Sequence, residues 1–442
     1  MKRALIFLAG ISSLATASTD YTADSRKLSA AALCGATNTT CQQAYISGAK
    51  DGTAAFKRVL STYKAIRAAE VPTPPPPPPA PPPSPPPAPP STVLHPIAAI
   101  PSNFDVASEL VPAWGTGAIP AKSATGATRN LDDPGAFRFI CAPAGLNWDD
   151  PIVYPNQPGK SHLHQYYGNT AITAASTYAS IRTSGNSTCN SPLNRSGYWE
   201  PAMIVGVTNQ VVRPDFNSLY YKRYPTTHPF CTKGDRLYQG ECVTIPTGLR
   251  MIFGFNMQTM SGGIGYYNCQ GPTATQAHYP ASQNGLRNAA AVCGPGNKLG
   301  MIISAPDCWD GVHLDVPDHR SHLAYMQRDP NTGQLKCDAA HPKVIPQLTL
   351  GVWYSVGPET ANSWYLSSDV MADGTTMSPG STFHADYWEG WDEQVKMMWT
   401  NGCIEQRLNC SGGDLGNGKQ LRMFAGFSMT ANPRLLPIPA RP

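Results

Sequence analysis

Charged residues are scarce in this chain, and they are not gathered into any basic or acidic stripe. Asp, Glu, Lys and Arg make up 14% of its 442 residues, and the formal net charge is +4. A chain of this kind lacks the electrostatic footprint of a nucleic-acid-binding protein. Low charge with abundant Gly, Pro, Ser, Thr and Asn is typical of loop-rich extracellular β proteins. We therefore expect no nucleic-acid partner.

Long hydrophobic runs are also missing. The apolar run Ala4 to Leu14 follows Met1-Lys2-Arg3 and precedes Ala15-Thr16-Ala17. It is too short to span a bilayer, which takes about 20 apolar residues. A charged start, a short apolar stretch and a small-x-small site are instead the features of a secretory signal. The sequence predicts a signal peptide over residues 1–17, a secreted location (extracellular or cell-envelope associated), and no transmembrane segment after cleavage. An N-terminal membrane anchor is the alternative.

Motifs of the C-x-x-C type do not occur, although the chain has twelve cysteines. A zinc-thiolate or thioredoxin-like site therefore has no support. In a secreted chain an even number of cysteines predicts a disulfide framework. Proximity in the sequence suggests the pairs Cys34–Cys41, Cys231–Cys242, Cys403–Cys410, Cys308–Cys337 and Cys269–Cys293.

Proline is concentrated in residues 72–92, which predicts an extended polyproline II linker, because proline fixes φ and lacks a backbone donor. Before the linker, residues 18–71 form a small segment in which apolar side chains recur at helical spacing, as at Phe56, Val59 and Tyr63. We interpret this segment as a structural tether, with docking on a cell-envelope partner as the alternative.

The main domain is expected over residues 93–432, followed by a loose tail over 433–442. Apolar runs of strand length recur in it, such as Phe137–Ile140, Leu249–Phe255 and Leu348–Val356. They are rich in β-branched and aromatic residues and are bounded by Gly, Pro and Asn. Convincing long helices are absent. The sequence predicts a mainly β domain, a sandwich or jelly-roll, with long disulfide-stapled loops.

Six of the ten histidines fall in three short polar stretches, at residues 161–164, 310–322 and 383–392. Histidine and carboxylate side chains bind first-row metals and transfer protons near neutral pH. His-x-His and His-x-Asp place both side chains on one face of an extended backbone. The predicted ligands of a divalent metal ion are His162, His164, His322, His384 and Asp386. The alternative is that the histidines only form hydrogen bonds at loop edges.

Acid–base and substrate-binding groups are predicted in and around the same stretches. The acid–base candidates are Asp315, Asp318, His319, Asp369 and Asp392. Flat aromatic rings take the C–H face of a pyranose, and polar groups take its hydroxyls. The predicted substrate-binding residues are Tyr166, Tyr167, Trp199, Trp388, Trp391 and Arg320. The alternative for the tryptophans is burial in the core.

These stretches resemble an uncharacterised secreted domain family, the domain of unknown function numbered nineteen-ninety-six, over about Pro101 to Phe427. The matching residues are Asp150-Pro151-Ile152-Val153, Ser161-His162-Leu163-His164, Gly168-Asn169, Tyr198-Trp199-Glu200-Pro201-Ala202-Met203, Asp315-Val316-Pro317-Asp318-His319-Arg320-Ser321-His322, His384-Ala385-Asp386, Gly390-Trp391-Asp392, Cys403-Ile404 and Gly413-Asp414-Leu415-Gly416. The family occurs in bacteria, and in fungi it often stands beside carbohydrate-binding WSC modules. The resemblance implies a polysaccharide or cell-wall surface as partner, by analogy alone.

Three functions remain open on this basis. The first is a secreted hydrolase of extracellular or cell-wall polysaccharide, with a metal ion that activates water or with two carboxylates across the glycosidic bond. A histidine-assisted lyase would use the same residues. The second is a non-catalytic carbohydrate-binding or adhesion domain, and the third is a metal-binding protein. Convergence of the three stretches in one place would favour the enzyme.

Overall fold

The computed structural model describes residues 92–113, 118–120, 134–275, 277–423 and 427–442. The predicted signal peptide, the helical segment, the proline linker up to residue 91 and the Cys34–Cys41 pair lie outside the described residues. All described residues belong to one unit, Ala88–Pro442.

Short strands account for most of the regular structure. In chain order they are β1 (Val93–Leu94), β2 (Leu110–Pro112), β3 (Ala118–Pro120), β4 (Gly135–Cys141), β5 (Pro143–Asn147), β6 (His164–Gly168), β7 (Gly197–Pro201), β8 (Met203–Val205), β9 (Gln210–Val212), β10 (Phe216–Arg223), β11 (Glu241–Cys242), β12 (Arg250–Gly254), β13 (Tyr266–Gln270), β14 (Tyr279–Pro280), β15 (Lys298–Ser304), β16 (Cys308–Trp309), β17 (His313–Asp315), β18 (Leu323–Ala324), β19 (Gln327–Arg328), β20 (Leu335–Lys336), β21 (Lys343–Val344), β22 (Gln347–Ser355), β23 (Trp364–Leu366), β24 (His384–Trp388), β25 (Leu408–Cys410), β26 (Lys419–Leu421) and β27 (Leu435–Pro437). The α-helices among the described residues are α1 (Tyr178–Thr183), α2 (Gly285–Val292) and α3 (Glu393–Trp399). The mainly β class is therefore confirmed.

Two sheets dominate the architecture. The larger has eight strands in the order β14-β13-β15-β22-β10-β4-β25-β3, and the smaller has five in the order β12-β24-β7-β6-β5. In the smaller sheet every neighbouring pair is antiparallel. In the larger sheet β25 runs parallel to β4. The other strands form short two- and four-stranded sheets.

The inner faces of the two large sheets share one hydrophobic core, so the domain is a sandwich. On β10 the burial alternates, with Leu219 and Tyr221 fully buried and Tyr220 partly exposed between them. This is the two-residue period of a strand with one face in the core. Tyr198 on β7 meets Tyr221 across the interface, with 2.6 Å between their hydroxyl oxygens. The hydrogen bond satisfies two phenols that are removed from water.

Five disulfides staple the long connections between strands. They join Cys141 to Cys189, Cys231 to Cys242, Cys269 to Cys293, Cys308 to Cys337, and Cys403 to Cys410. Four of these pairs were predicted from proximity in the sequence and are confirmed. The pair Cys141–Cys189 was not predicted, because its partners are far apart along the chain.

The last residues differ from the predicted loose tail. Strand β27 pairs with β9, with Leu435 opposite Val212. Further on, the indole N–H of Trp148 donates to the Pro439 carbonyl at 3.0 Å. Arg441 donates to the Ser161 carbonyl at 3.0 Å and lies over the Trp148 ring. Proline content suggested looseness, but an extended proline-rich segment can still add to a sheet edge.

Among the residues that the structure describes, no helix has both the length and the apolar character needed to cross a bilayer.

Candidate functional site

The outer face of the five-stranded sheet carries most of the predicted site. Strand pairing places Trp199 of β7 opposite Asp386 of β24, and Tyr166 of β6 opposite Trp199. Because side chains alternate along a strand, His384 and His164 share this face with them. Intervening residues such as Tyr387 point into the core between the sheets. The two-residue spacing in the sequence therefore sends the site side chains to one side.

Three imidazoles from two distant stretches meet on this face. The ring centroids of His162 and His164 lie 4.2 Å apart, and those of His162 and His384 lie 5.1 Å apart. One nitrogen from each ring can be chosen so that all three atoms lie within 4.8 Å of one another. His164 and His384 are buried, whereas His162 is partly exposed. His162 is therefore the least buried residue of the three, although its own Nε2 is buried.

Backbone carbonyls fix the orientation of two of these rings. His164 Nδ1 lies 3.0 Å from the Asp149 carbonyl oxygen, and His384 Nδ1 lies 2.8 Å from the Thr382 carbonyl oxygen. A carbonyl can only accept, so Nδ1 carries the proton in both rings and Nε2 is left with its lone pair. Hydrogen bonds of this kind orient metal-ligating histidines. Nε2 of His164 and of His162 are buried and have no hydrogen-bond partner.

Two carboxylates complete the cluster. Asp150, His164 and Asp386 also offer ligand atoms that lie within 4.8 Å of one another. Asp150 Oδ1 accepts from the backbone N–H groups of Ile152 and Val153, each at 2.9 Å, which fixes its orientation. Asp386 Oδ2 is buried without a partner. His164 belongs to both groups, so the five residues form one cluster, which we call the His/Asp cluster (Asp150, His162, His164, His384 and Asp386).

Burial controls the protonation of the His/Asp cluster. Burial, with a smaller effect of the neighbouring His164, lowers the pKa of His384 to about 3. Burial likewise lowers the pKa of His162 well below the usual value, with His164 and His384 adding to the effect. The pKa of Asp386 is raised well above its usual range by burial and then by the charge of Asp150. A bound cation would relieve the cost of an ionised Asp386 in this position.

Neutral imidazole and carboxylate oxygen are the donors that zinc and other first-row divalent ions take in proteins. The His/Asp cluster offers both types of donor. The Nε2 atoms of His162 and His164 have no hydrogen-bond partner. Buried polar atoms without partners are rare in folded proteins, and each needs an explanation. A cation held among these atoms would supply one.

The second polar stretch reaches the cluster through Arg320. Its guanidinium donates to the carbonyls of Gly254 and Phe255, at 3.2 and 2.9 Å. Its positive charge lowers the pKa of both His384 and Asp386, although burial and other neighbours have larger effects on each. Arg320 and Gly254 also line a cavity of about 220 Å³ beside β12. No residue of the His/Asp cluster lines this cavity, so Arg320 is the residue that relates the two.

Asp315 and His319 form a separate dyad. His319 Nδ1 lies 2.8 Å from Asp315 Oδ1, and Arg250 donates to Asp315 Oδ2 at 2.9 Å. The His319 backbone has φ of 55°, in the left-handed region that costs free energy for a residue with a side chain. Arg250 in turn lies over the ring of Trp388, 4.1 Å from its centroid. The dyad is therefore linked to the outer face of the five-stranded sheet through Arg250.

His322 and Asp318 do not join the cluster. His322 is fully buried, and its Nε2 donates to the Arg250 carbonyl at 2.9 Å, so the structure does not bring this predicted ligand together with the other histidines. Asp318 Oδ1 accepts from the backbone N–H groups of Arg320 and Ser321, at 3.0 and 2.9 Å. These bonds close the turn after Pro317. The segment from Val316 to Ser321 is a loop, and His319 and His322 have different partners, Asp315 and the Arg250 carbonyl.

Two further predicted acid–base residues have structural positions. Asp369 is buried and accepts from the backbone N–H groups of Leu366 and Gly380, each at 2.7 Å, which ties a loop together. Asp392 caps α3 and forms an ion pair with the buried Arg182 at 3.4 Å. Neither has a hydrogen bond or ion pair with a residue of the His/Asp cluster, so the structure does not bring these two predicted residues to it. Asp is favoured at helix N-termini and in turns, because its side chain accepts hydrogen bonds from nearby backbone N–H groups.

Tyr167 and Trp391 are in the core and cannot bind substrate in this structure. Tyr167 is one residue out of phase with Tyr166, so it points inward and donates to Glu200 Oε1 at 2.5 Å. Trp391 packs against Phe137 and Phe139 and donates to the Tyr221 hydroxyl at 3.1 Å. The core alternative for Trp391 is thus the correct one.

Tyr166, Trp199 and Trp388 lie on the outer face, yet each is at most 3% exposed. Tyr166 stacks on Trp199 with 5.2 Å between ring centroids, and its hydroxyl donates to the Asp149 carbonyl at 2.6 Å. These rings belong to a second hydrophobic cluster, which packs against the His/Asp cluster through the contact of Tyr166 with His164. They do not offer an open sugar-stacking surface, contrary to the prediction.

Asp149 and Asp150 were not predicted as site residues. They directly precede Pro151 near the start of the connection from β5 to β6, and the family motif Asp150-Pro151-Ile152-Val153 was the signal in the sequence that could have indicated them. Asp149 orients His164 through its carbonyl, and its side chain holds the neighbouring loop by accepting from Gly159 N and Ala174 N, each at 2.8 Å. Tertiary proximity, rather than spacing along the chain, makes these residues part of the site.

Comparison with known proteins identifies the family and nothing more specific. A family model described as "Domain of unknown function (DUF1996)" matches residues 150–391, which is more than half of the chain. The protein therefore belongs to this family. The match covers all five residues of the His/Asp cluster. No curated protein and no solved structure matches the chain.

Proposed function

We propose that the protein is a secreted, metal-dependent hydrolase of extracellular or cell-wall polysaccharide, with a divalent ion held by the His/Asp cluster. The observation that carries the proposal is the meeting of His162, His164 and His384 with two carboxylates on one sheet face. Two of the rings are oriented by backbone carbonyls, as in metal sites whose ligands are fixed in advance.

The ion's chemistry would be to lower the pKa of a bound water and so supply a nucleophile at neutral pH. His162 is the least buried residue of the cluster, so we expect substrate to approach from its side. Arg320 can bind substrate oxygens beside the cluster. The dyad of Asp315 and His319 has the geometry of an imidazole oriented by a carboxylate, which suits proton transfer to a leaving group.

Secretion is supported by the five disulfides, since such bonds persist in oxidising compartments. The polysaccharide substrate is supported only by the family's association with carbohydrate-binding modules. The metal site and the reaction are therefore tested separately.

The metal is tested first, by inductively coupled plasma mass spectrometry on the purified full chain. We expect close to one divalent ion per chain in the wild type and its loss in His384→Ala. The matched control is His278→Gln, which changes an exposed histidine away from the cluster and should leave the metal content unchanged. Wild-type protein that stays metal-free after incubation with Zn²⁺, Mn²⁺ or Ca²⁺ would contradict the proposal.

The reaction is tested by the release of reducing ends from wall polysaccharides. We expect His384→Ala and His319→Ala to abolish turnover, while secretion and the melting temperature of the His319 variant stay close to wild type. Retained turnover in both variants would remove the catalytic interpretation.

A second function is favoured by the burial of the cluster. His164 and Asp386 are at most 1% exposed, which is typical of closed, structural metal sites rather than open catalytic ones. A metal-binding protein without turnover would show the metal content of the first test and a metal-dependent melting temperature, but no release of reducing ends with any wall polysaccharide.

A further inference from the structure

The outer face of the eight-stranded sheet lies on the opposite side of the sandwich from the His/Asp cluster. On β10 the side chains of Phe216, Tyr220 and Lys222 alternate with the core residues Leu219 and Tyr221. They therefore point outward, and all three are partly or fully exposed. Neither the His/Asp cluster nor the dyad of Asp315 and His319 includes a residue of β10.

Trp353 of β22 lies on this face beside β10. Strand pairing puts it opposite Phe216, and the two ring centroids are 6.5 Å apart with planes tilted by 32°. Its other neighbour across the sheet is Gly300 of β15. A Cβ atom at Gly300 would lie only 2.7 Å from a ring carbon of Trp353, so the indole occupies the space over that glycine. The ring is thus seated against the sheet rather than projecting from it, and it remains partly exposed.

Two cations flank the next aromatic ring along the face. The guanidinium carbon of Arg138 is 5.2 Å from the centroid of the Tyr220 ring, and Lys222 Nζ is 4.9 Å from it. Neither cation has a carboxylate within salt-bridge distance in the part of the chain that the structure describes. Burial lowers the pKa of Lys222, and the charge of Arg138 lowers it further. An anion placed beside Tyr220 would relieve this repulsion.

A third cation on the same face, Lys298, is neutralised by a carboxylate. Lys298 lies next to Phe216, 5.9 Å from its ring centroid, and forms an ion pair with the buried Asp215. Arg138 and Lys222 are not matched in this way. The unbalanced positive charge is therefore specific to the Tyr220 end of the face.

We propose that this surface, the aromatic platform (Arg138, Phe216, Tyr220, Lys222 and Trp353), binds an anionic polysaccharide. Seated aromatic rings take the apolar C–H faces of sugar rings, and they lose little conformational entropy in doing so. The two cations bind the carboxylates of uronic acid residues in the same chain. The platform would hold the protein on an acidic wall polymer, and it works independently of whether the His/Asp cluster is catalytic.

The test is affinity electrophoresis of the full chain in gels that contain polygalacturonate, neutral dextran, dextran sulfate or polyglutamate. We expect strong retardation by polygalacturonate and little by dextran or polyglutamate. Retardation by dextran sulfate as well would extend the anionic group from carboxylate to sulfate. Equal retardation by polyglutamate would overturn the proposal, because it would mean that charge alone drives binding.

Three variants separate stacking from charge. Trp353→Ala should weaken polygalacturonate binding by about tenfold or more, as expected for the loss of an aromatic anchor. The double variant Arg138→Gln/Lys222→Gln should weaken it and reduce its dependence on salt. Lys233→Gln, an exposed lysine in another loop, is the matched charge control and should bind as wild type.

Two readouts keep the result independent of folding and of the proposed function. The metal content of Trp353→Ala should equal that of the wild type, because the ring is on the far side of the sandwich, and a single cooperative melting transition should show that the variant is folded. A folded Trp353→Ala protein with wild-type affinity would refute the platform even if the metal site were real. Loss of metal in His384→Ala should leave retardation by polygalacturonate unchanged.

Discussion

The imidazole rings of His162 and His384 lie 5.1 Å apart and at right angles, although the two residues come from opposite ends of the family domain. His162 precedes β6 and His384 begins β24, and β7 lies between these strands in the sheet. The pairing of three antiparallel strands therefore brings the two histidines together. A cluster assembled in this way depends on the whole sheet, and backbone carbonyls orient the rings of His164 and His384 within it.

Metal binding should raise the stability of the protein. A ligand that binds only the folded state stabilises it by about 2.7 kcal/mol when its concentration is 100 times Kd. We expect the melting temperature to rise when Zn²⁺ is added to chelator-treated protein, as measured by differential scanning calorimetry. His384→Ala should lose the rise while His278→Gln keeps it. An equal rise in both variants would place the ion elsewhere.

Asp392 should be important for stability and dispensable for the metal. It caps α3 through the N–H groups of Gln394 and Val395 and pairs with buried Arg182. Asp392→Ala removes a cap, worth about 1 kcal/mol, and leaves a buried guanidinium without its partner, worth about 3 kcal/mol. Urea denaturation should show a loss of this order. Asp392→Asn keeps the capping oxygen and should lose less, and both variants should retain the metal content of the wild type.

The buried hydrogen bond from Tyr167 to Glu200 gives a prediction for the core. Tyr167→Phe would leave the buried Glu200 carboxyl without this donor, and an unsatisfied buried polar group costs about 1–3 kcal/mol. We expect the free energy of unfolding, measured in urea, to fall by about that amount. Tyr238→Phe alters a more exposed phenol and should be nearly neutral. A similar loss in both variants would mean that the Glu200 contact is not responsible.

Glu200 should make the stability depend on pH. Burial raises its pKa well above the usual range, although the bond from Tyr167 opposes this, so the folded protein holds the carboxyl protonated. The unfolded chain ionises it near pH 4.3. The favourable contribution is complete below that pH and is lost as the pH rises toward the raised pKa of the folded state. Glu200→Gln removes the dependence, so its stability relative to wild type should increase between pH 4 and pH 8 in urea titrations. A constant difference across this range would contradict the raised pKa.

Several features of the fold followed from local patterns. Apolar runs of strand length predicted β4, β12 and β22, because β-branched and aromatic residues bounded by Gly, Pro and Asn favour strands. Proximity in the sequence predicted Cys231–Cys242 and Cys403–Cys410, since a short loop can close with little strain. The tail was the exception, because the pairing of β27 with β9 depends on a partner more than 200 residues away.

For the site, the sequence by itself determined that His162 and His164, and likewise His384 and Asp386, would each share one side of an extended backbone. It could not determine which side faced the core. In the structure Tyr166 and Trp199 lie beneath the cluster, whereas Tyr167 and Trp391 lie in the core of the sandwich. Only the tertiary structure added Asp150 and excluded His322, because strand order and loop path fix distances in space that separation along a chain does not encode.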